Sequence, residues 1–343
     1  MNSYLKYISL LLMPLVCLFF GCKSEEPTDI SVLPSNIITK IVIDNYGIKW
    51  IATDKGLVSF NGKIWKVYPN VKQLSNQPIN DLCFDVMSEN RQIWAASFGG
   101  AVKGSIASQT YLLTDNYHLD SNGLLSDTVF SVATDNNNTK FFGTPNGLSI
   151  LKNAIWSSYD GTWGKRKDNF LVTNIITAIA VAKDGWNYVS SQGGGVSRFQ
   201  FTDAVSGATK FFMPWAYGLK SDNVNTVVVV NDTCQWYGTD KGAAYHTSYN
   251  TKADWTSYSS VDGLVSDTVY AIAQGLSGET WFGTHRGVSR LYADVWTSYT
   301  TQDGLIANKV NTLAIDIDGS VWFGTDMGLS HLINGVWTSY NKK

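Results

Sequence analysis

The sequence predicts an all-β fold, a seven-bladed β-propeller of four-stranded antiparallel blades, and three observations carry that prediction. The first is a period: "WFGT"-like tetrads open on Trp50, Trp94, Phe141, Tyr188, Trp236, Trp281 and Trp322, separated by 44, 47, 47, 48, 45 and 41 residues. A period in the forties that fills a chain is the signature of a repeat architecture. The second is local: each unit divides into four short β-branched or aromatic runs separated by turn residues. The third is composition, because an aromatic share of 13% and thirty glycines disfavour helices throughout. A linear solenoid needs polar capping repeats at its ends. Here the first and last units are as regular as the middle ones, which favours a closed ring.

The amino terminus is read separately. Residues 1–21 carry Lys6 and a thirteen-residue apolar run from Ile8 to Phe20, which suits a secretory signal and is too short to span a bilayer. Gly21 directly before Cys22 resembles a bacterial lipobox, with Phe19 where leucine is usual, so lipidation at Cys22 is expected. An ordinary secretory cut is the alternative. Residues 22–34 then form an acidic, proline-containing tether, and 35–340 form the propeller. Several acyl chains would anchor an otherwise soluble domain to a membrane outside the cytoplasm.

Within the propeller the blades span about residues 35–70, 75–113, 123–159, 170–213, 218–258, 263–299 and 304–340. Strand A of each carries apolar residues on both faces, as in Val310, Leu313 and Ile315, and so reads as a buried strand. A slim column follows it through Val42, Cys83, Ala133, Ala180, Val228, Ala273 and Ala314, suited to a crowded centre. Turns such as "DIDG" lead into strand B, "VWFGT". Tight hairpins follow whose glycines, Gly56, Gly147, Gly242, Gly287 and Gly328, can adopt positive φ. Strand C is "LSHL"-like and strand D "VWTSY"-like; units two and four replace strand D with divergent text around "TYLLT" and "TKFFM". Ring closure is expected from side-chain packing between the first and seventh blades, with "DISVL" (29–33) as a candidate edge strand.

The stretch "DGLVSDTVYAIAQGLSGETWFGTHRGVSRL" (262–291) resembles the two-component regulator propeller repeat. The order Gly-Leu, Ser-Asp, spaced Val and Ile, Trp-x-Gly-Thr and Gly-Val is that family's pattern. The likeness extends over all seven units, strongly in one, three, five, six and seven. It implies an extracytoplasmic sensor propeller of the kind found in hybrid histidine kinases, often responding to glycan fragments. No kinase or receiver segment is written in this chain, so a stand-alone binding module is expected.

Composition removes other classes. A net charge of −2 and 16% charged residues leave no electrostatic footprint for nucleic acid. With Cys17 cut away and Cys22 lipidated, only Cys83 and Cys234 remain, and a disulfide framework is excluded. The five arginines and four histidines show no sialidase-like or metal-ligand spacing, so no enzyme, cofactor or metal is expected, with a propeller lyase or glycosidase as the lesser alternative.

Candidate contacts lie on the face shared by the D–A loops and the B–C hairpins. Trp163 and Trp215 stand in loops outside any repeat column and could stack on a sugar, with Lys165, Arg166, Tyr217, Tyr117 and His118 beside them. Their alternative role is packing against the divergent blades. His285 and Arg286 occupy a hairpin tip on the same face. The column Asn36, Asp127, Asn174, Asp222, Asp267 and Asn308 could ring a channel mouth, or more simply close turns onto its own backbone. The expected partner is a small-molecule or glycan ligand bound by a monomer, with an envelope scaffold for another protein as the alternative.

Overall fold

The computed structural model describes residues 33–68, 78–85, 92–107, 110–117, 123–160, 171–203, 207–212, 218–247 and 255–342. Its strands form seven four-stranded sheets, each made of four consecutive strands in the order A-B-C-D. Blade 1, for example, uses Ile38–Ile43, Lys49–Thr53, Gly56–Phe60 and Trp65–Val67. Blade 7 uses Val310–Ile315, Val321–Thr325, Gly328–Ile333 and Val336–Tyr340. All seven sheets are antiparallel, and the divergent text of units two and four still forms strand D, as Thr110–Tyr117 and Gly207–Phe212.

A blade buries neither face alone. Seven hydrophobic clusters form instead, one at each seam between neighbouring blades, including the seam between blades 7 and 1. The marker aromatic of each blade packs into the seam with the blade after it: Trp50 toward blade 2, Trp281 toward blade 7, Trp322 toward blade 1. The recurring tryptophans are therefore the spacers that set blade separation.

The tetrad's other residues have equally local reasons. A Cβ on Gly324 would stand 2.5 Å from Cγ2 of Ile38 in the next blade and 2.6 Å from Cγ2 of Thr312, so the tetrad glycine is a close approach between sheets. Thr325 Oγ1 donates to the Gly328 carbonyl at 2.8 Å and accepts from Met327 N at 3.0 Å, stapling the B–C hairpin. Gly328 has φ of 126°, and any side chain there would meet the Tyr340 carbonyl of strand D.

Among the described residues closure uses no exchanged strand, since each sheet takes four consecutive strands. Leu33, assigned by sequence to the tether, is 2% exposed and fills the 7–1 seam beside Ile38, Phe60, Trp322 and Leu329. Residues 29–32 of the candidate edge strand lie outside the described residues. Lys342 N donates to Asn36 Oδ1 at 2.5 Å and Lys342 Nζ to the Pro34 carbonyl at 3.0 Å, tying the two ends of the propeller together.

His331 stacks on Trp322 at this seam, centroids 4.1 Å apart. Burial lowers its pKa below 6.5, with the Asp318 carboxylate working in the opposite direction. The folded state thus binds the proton less well than the unfolded chain. The stability His331 confers is complete above the unfolded value and is lost as pH falls from there through the folded value. Urea unfolding at pH 7.5 and 5.5 should show a loss on acidification that shrinks in His331→Gln; an identical loss in both proteins would exclude this assignment.

Candidate functional site

The central channel is lined by a column that alternation alone does not foresee. In six of the seven blades the pairing of strand A with strand B slips between the first and third residues of strand A, leaving the second unpaired. Such a bulge re-aims the side chain it carries. The residues concerned are Thr39, Asn80, Thr177, Asn225, Tyr270 and Asn311, with Phe130 at the corresponding place in blade 3, and all seven line an axial cavity of about 250 Å³.

Five of these side chains build a belt from blade to blade. Each donates to the first strand A carbonyl of the next blade, or to its equivalent at Val129: Thr39 to Ile79 (2.5 Å), Asn80 to Val129 (2.8 Å), Thr177 to Val224 (2.5 Å), Asn225 to Val269 (3.0 Å) and Asn311 to Ile38 (3.0 Å). A net contribution of about 1 kcal/mol each is the usual scale for such bonds. The belt is interrupted at two positions, Phe130 and Tyr270, where aromatic rings replace the short donors.

Around Tyr270 a polar cluster forms. Its hydroxyl lies 3.5 Å from Nδ1 of His285, at the limit of hydrogen bonding, and Lys309 Nζ stands 5.8 Å from its ring centre. Lys309 Nζ also reaches Asp326 Oδ2 at 3.0 Å, and Asn311 Nδ2 reaches Asp326 Oδ1 at 2.7 Å. Partial burial works against the Asp326 carboxylate, but the bonds from Asn311 and Lys309 outweigh it and hold its pKa below the usual carboxylate range. In blade 5 burial likewise opposes the Asp240 carboxylate, and bonds from Ser221 and Asn223 bring its pKa down in the same way. Apolar side chains stand at the mouth as well: Phe98 meets Phe130 edge-on at 6.5 Å, and Ile37 and Ile175 are exposed at equivalent positions before strand A. The mouth therefore mixes these apolar groups with the hairpin carboxylates Asp54, Asp240 and Asp326, which occupy one position in blades 1, 5 and 7.

Deeper in the channel Lys40 Nζ contacts Asp81 Oδ1 at 2.7 Å, and Asp81 Oδ2 accepts from Val132 N of blade 3 at 3.0 Å. Burial disfavours the Lys40 charge, yet the adjacent Asp81 carboxylate more than offsets it and raises the lysine pKa above its ordinary value.

The sequence candidates divide into three groups. Trp163, Lys165, Arg166, Trp215, Tyr217 and His118 lie outside the described residues. His285 and Arg286 are at an exposed hairpin tip, and His285 belongs to the Tyr270 cluster. Tyr117 is not in a loop: it ends strand D of blade 2, with its ring 5.3 Å from Trp94 and 5.9 Å from Trp156. It is the packing tyrosine of that blade, in register with Tyr68, Tyr159, Tyr258, Tyr299 and Tyr340, a column the divergent text conceals.

In the proposed mouth column, Asn36 binds the Lys342 backbone, Asp267 accepts from Ser260 N at 2.6 Å and Asn308 accepts from Thr301 N at 2.9 Å. These three fasten loops. Asp127 and Asn174 are engaged with partners of their own, and the Asp222 carbonyl accepts from Gly195 N at 2.9 Å. The channel is lined three residues further on, at Asn311 rather than Asn308 and at Tyr270 rather than Asp267. The signal available in sequence was the run of polar residues at the second position of an otherwise apolar strand.

Fold and mouth define the class, a closed propeller with a polar-and-aromatic channel entrance. The family described as "Two component regulator propeller" matches residues 304–327, which run from the last D–A loop into the B–C hairpin of blade 7. The match is confined to blade 7, and over most of its length the chain shares its fold with propellers of solved structures. Among solved structures it resembles the extracellular domain of BT4673 from B. thetaiotaomicron, described as a one component system, with 19% identity and a TM-score of 0.68 over 88% of this chain and 39% of that one. The chain spans about two fifths of that structure. It also resembles PorZ of Porphyromonas gingivalis, a surface component of the type-IX secretion system, with 13% identity and a TM-score of 0.66 over 89% of this chain and 46% of that one. Virginiamycin B lyase from Staphylococcus aureus shares 15% identity and a TM-score of 0.60 over 85% and 92% of the two chains. No curated protein matches the sequence.

Proposed function

We propose that this chain is an extracytoplasmic ligand-binding propeller, held to a membrane through Cys22, that takes a glycan fragment or similar polyhydroxylated molecule at the channel mouth. The observation that carries this reading is the interruption of the inter-blade belt at Tyr270. A position that elsewhere serves closure there holds an aromatic ring, with His285, Lys309 and Asp326 grouped around it. A ring for the apolar face of a sugar and fixed donors and acceptors for its hydroxyls are what recognition of such a ligand needs. The likeness to the extracellular domain of BT4673 supports a location outside the cytoplasm and a sensing role rather than catalysis. A scaffold role in the envelope is the second reading, favoured by the likeness to PorZ.

Oligosaccharides screened by thermal shift separate the two. A ligand at about a hundred times its Kd stabilises the native state by about 2.7 kcal/mol. Tyr270→Ala should abolish the shift, and Trp163→Ala and Trp215→Ala test the loop platform. If no sugar shifts the wild type while a stoichiometric partner is recovered from membranes, the scaffold reading replaces the glycan one.

A further inference from the structure

We infer a second ligand site on the opposite face, in the cleft between blades 6 and 7, fitted to the carboxylate of a small molecule with a flat apolar body. The cleft has a volume of about 250 Å³ and is lined by the side chains of Trp281, Arg290, Tyr299, Trp337 and Asn334. Gly319 of the A–B turn and Gly335 of the C–D turn border it, so it opens on the face away from the channel mouth.

Two donors in this lining have no acceptor. Trp281 is 5% exposed, and its indole Nε1 is buried without a hydrogen-bond partner. The same is true of Arg290 Nε. Among the described residues Arg290 makes no ion pair; its guanidinium carbon lies 5.6 Å from the Trp281 ring centre and 5.1 Å from that of Tyr292. A buried donor without an acceptor forfeits its hydration, which an anionic acceptor would restore.

Other blades show how the protein fills this place when it fills it internally. In blade 1 the equivalent indole, Trp50 Nε1, donates to Asp44 Oδ2 at 3.3 Å. Asp44 stands six residues before Trp50; six residues before Trp281 stands Gly275, which brings no carboxylate. Glu279 folds its own carboxylate over Gly275 and does not line the cleft. At the 7–1 seam the Trp322 ring is covered by His331 at 4.1 Å and by Lys49 at 5.5 Å. The indole N–H groups of Trp94, Trp236 and Trp322 are also without a partner, so what sets the 6–7 cleft apart is the Arg290 guanidinium, whose Nε is unpartnered beside that of Trp281.

The chemistry of the occupant follows. Among the described residues Arg290 is the one charged group lining the cleft, so the ligand brings the negative charge, and a planar carboxylate matches the guanidinium fork. Three aromatic rings, Trp281, Tyr299 and Trp337, with Val321 and Leu332, give contact area to a flat apolar body. At about 250 Å³ the cleft falls below the range of drug-sized ligands, which points to a smaller molecule.

The test uses the full chain with indole-3-acetate and phenylacetate as probes, and indole-3-acetamide as the neutral analogue, in calorimetry and in titrations of the indole N–H resonances. Indole-3-acetate should bind about tenfold or more tightly than its amide, the scale of one charged hydrogen bond, and should move the Trp281 N–H signal. Arg290→Met should erase that preference, whereas Lys103→Met, in the same strand position of blade 2, should keep it. Equal binding of acid and amide to the wild type, no binding of either, or a preference that survives Arg290→Met would each overturn the assignment. The acid–amide comparison needs no variant, so it decides the matter even where Arg290→Met fails to fold.

Discussion

Trp322→Ala should lower the unfolding free energy of the whole ring by about 3–5 kcal/mol, the range for removing a buried tryptophan from a packed core. Trp322 is 2% exposed and sits where blade 7 meets blade 1, with Phe60 at 5.7 Å, Tyr340 at 5.7 Å and His331 at 4.1 Å between ring centres. Most seams have a covalent D–A loop between their blades; this one has none, since every sheet is made of four consecutive strands. Its integrity therefore rests on side chains, on the Asn311 bond to the Ile38 carbonyl, and on Ile41 N donating to Thr312 Oγ1 at 3.2 Å. Trp281→Ala, at the looped 6–7 seam, removes the same ring and is the comparison. Denaturant unfolding of the full chain should show similar losses for both, with faster amide exchange at Ile41 only in Trp322→Ala. A loss below about 1 kcal/mol for Trp322→Ala would mean that closure does not depend on this packing.

Lys49→Met should cost a comparable amount, about 3–5 kcal/mol, by leaving a buried carboxylate without its cation. Lys49 in blade 1 pairs with Asp316 in blade 7, their side chains 10% and 5% exposed, and Lys49 Nζ also donates to the Gly47 carbonyl at 2.9 Å. Methionine retains an apolar stem of similar length, so the measured loss reports the charge, including the ammonium contact with the Trp322 ring at 5.5 Å, rather than stem packing. Adding Asp316→Asn should recover most of it, because the amide oxygen can still accept from Ile317 N, the 2.7 Å bond that Asp316 makes within its turn. A double variant no more stable than Lys49→Met would exclude the uncompensated charge as the cause. Lys140 and Asp85, 3.2 Å apart and 8% and 3% exposed, form a related pair between blades 3 and 2, where the same pattern is expected.

Candidate contacts were less legible than the blades. The place of Tyr117 is not legible because "TYLLTDNY" hides the strand D column; the pairing of its own blade sets it on Trp94, and the neighbouring blade adds Trp156. Tyr270, Lys309, Asn311 and Asp326 carry no motif. They stand in two repeats up to 56 residues apart in the chain, and a bulge in strand A and the closure of the ring bring them together.

Periodic patterning alone determined the seven blades, the strand order within each and the role of the marker aromatics, because each of those follows from residues close in sequence and repeated seven times. Which side chains face the axis, which seam leaves a guanidinium without a carboxylate, and how blade 1 meets blade 7 were decided only by the tertiary structure. Those features depend on register slips of one residue and on contacts between chain segments more than 270 residues apart, such as Asn311 with Ile38, that a repeat pattern does not encode.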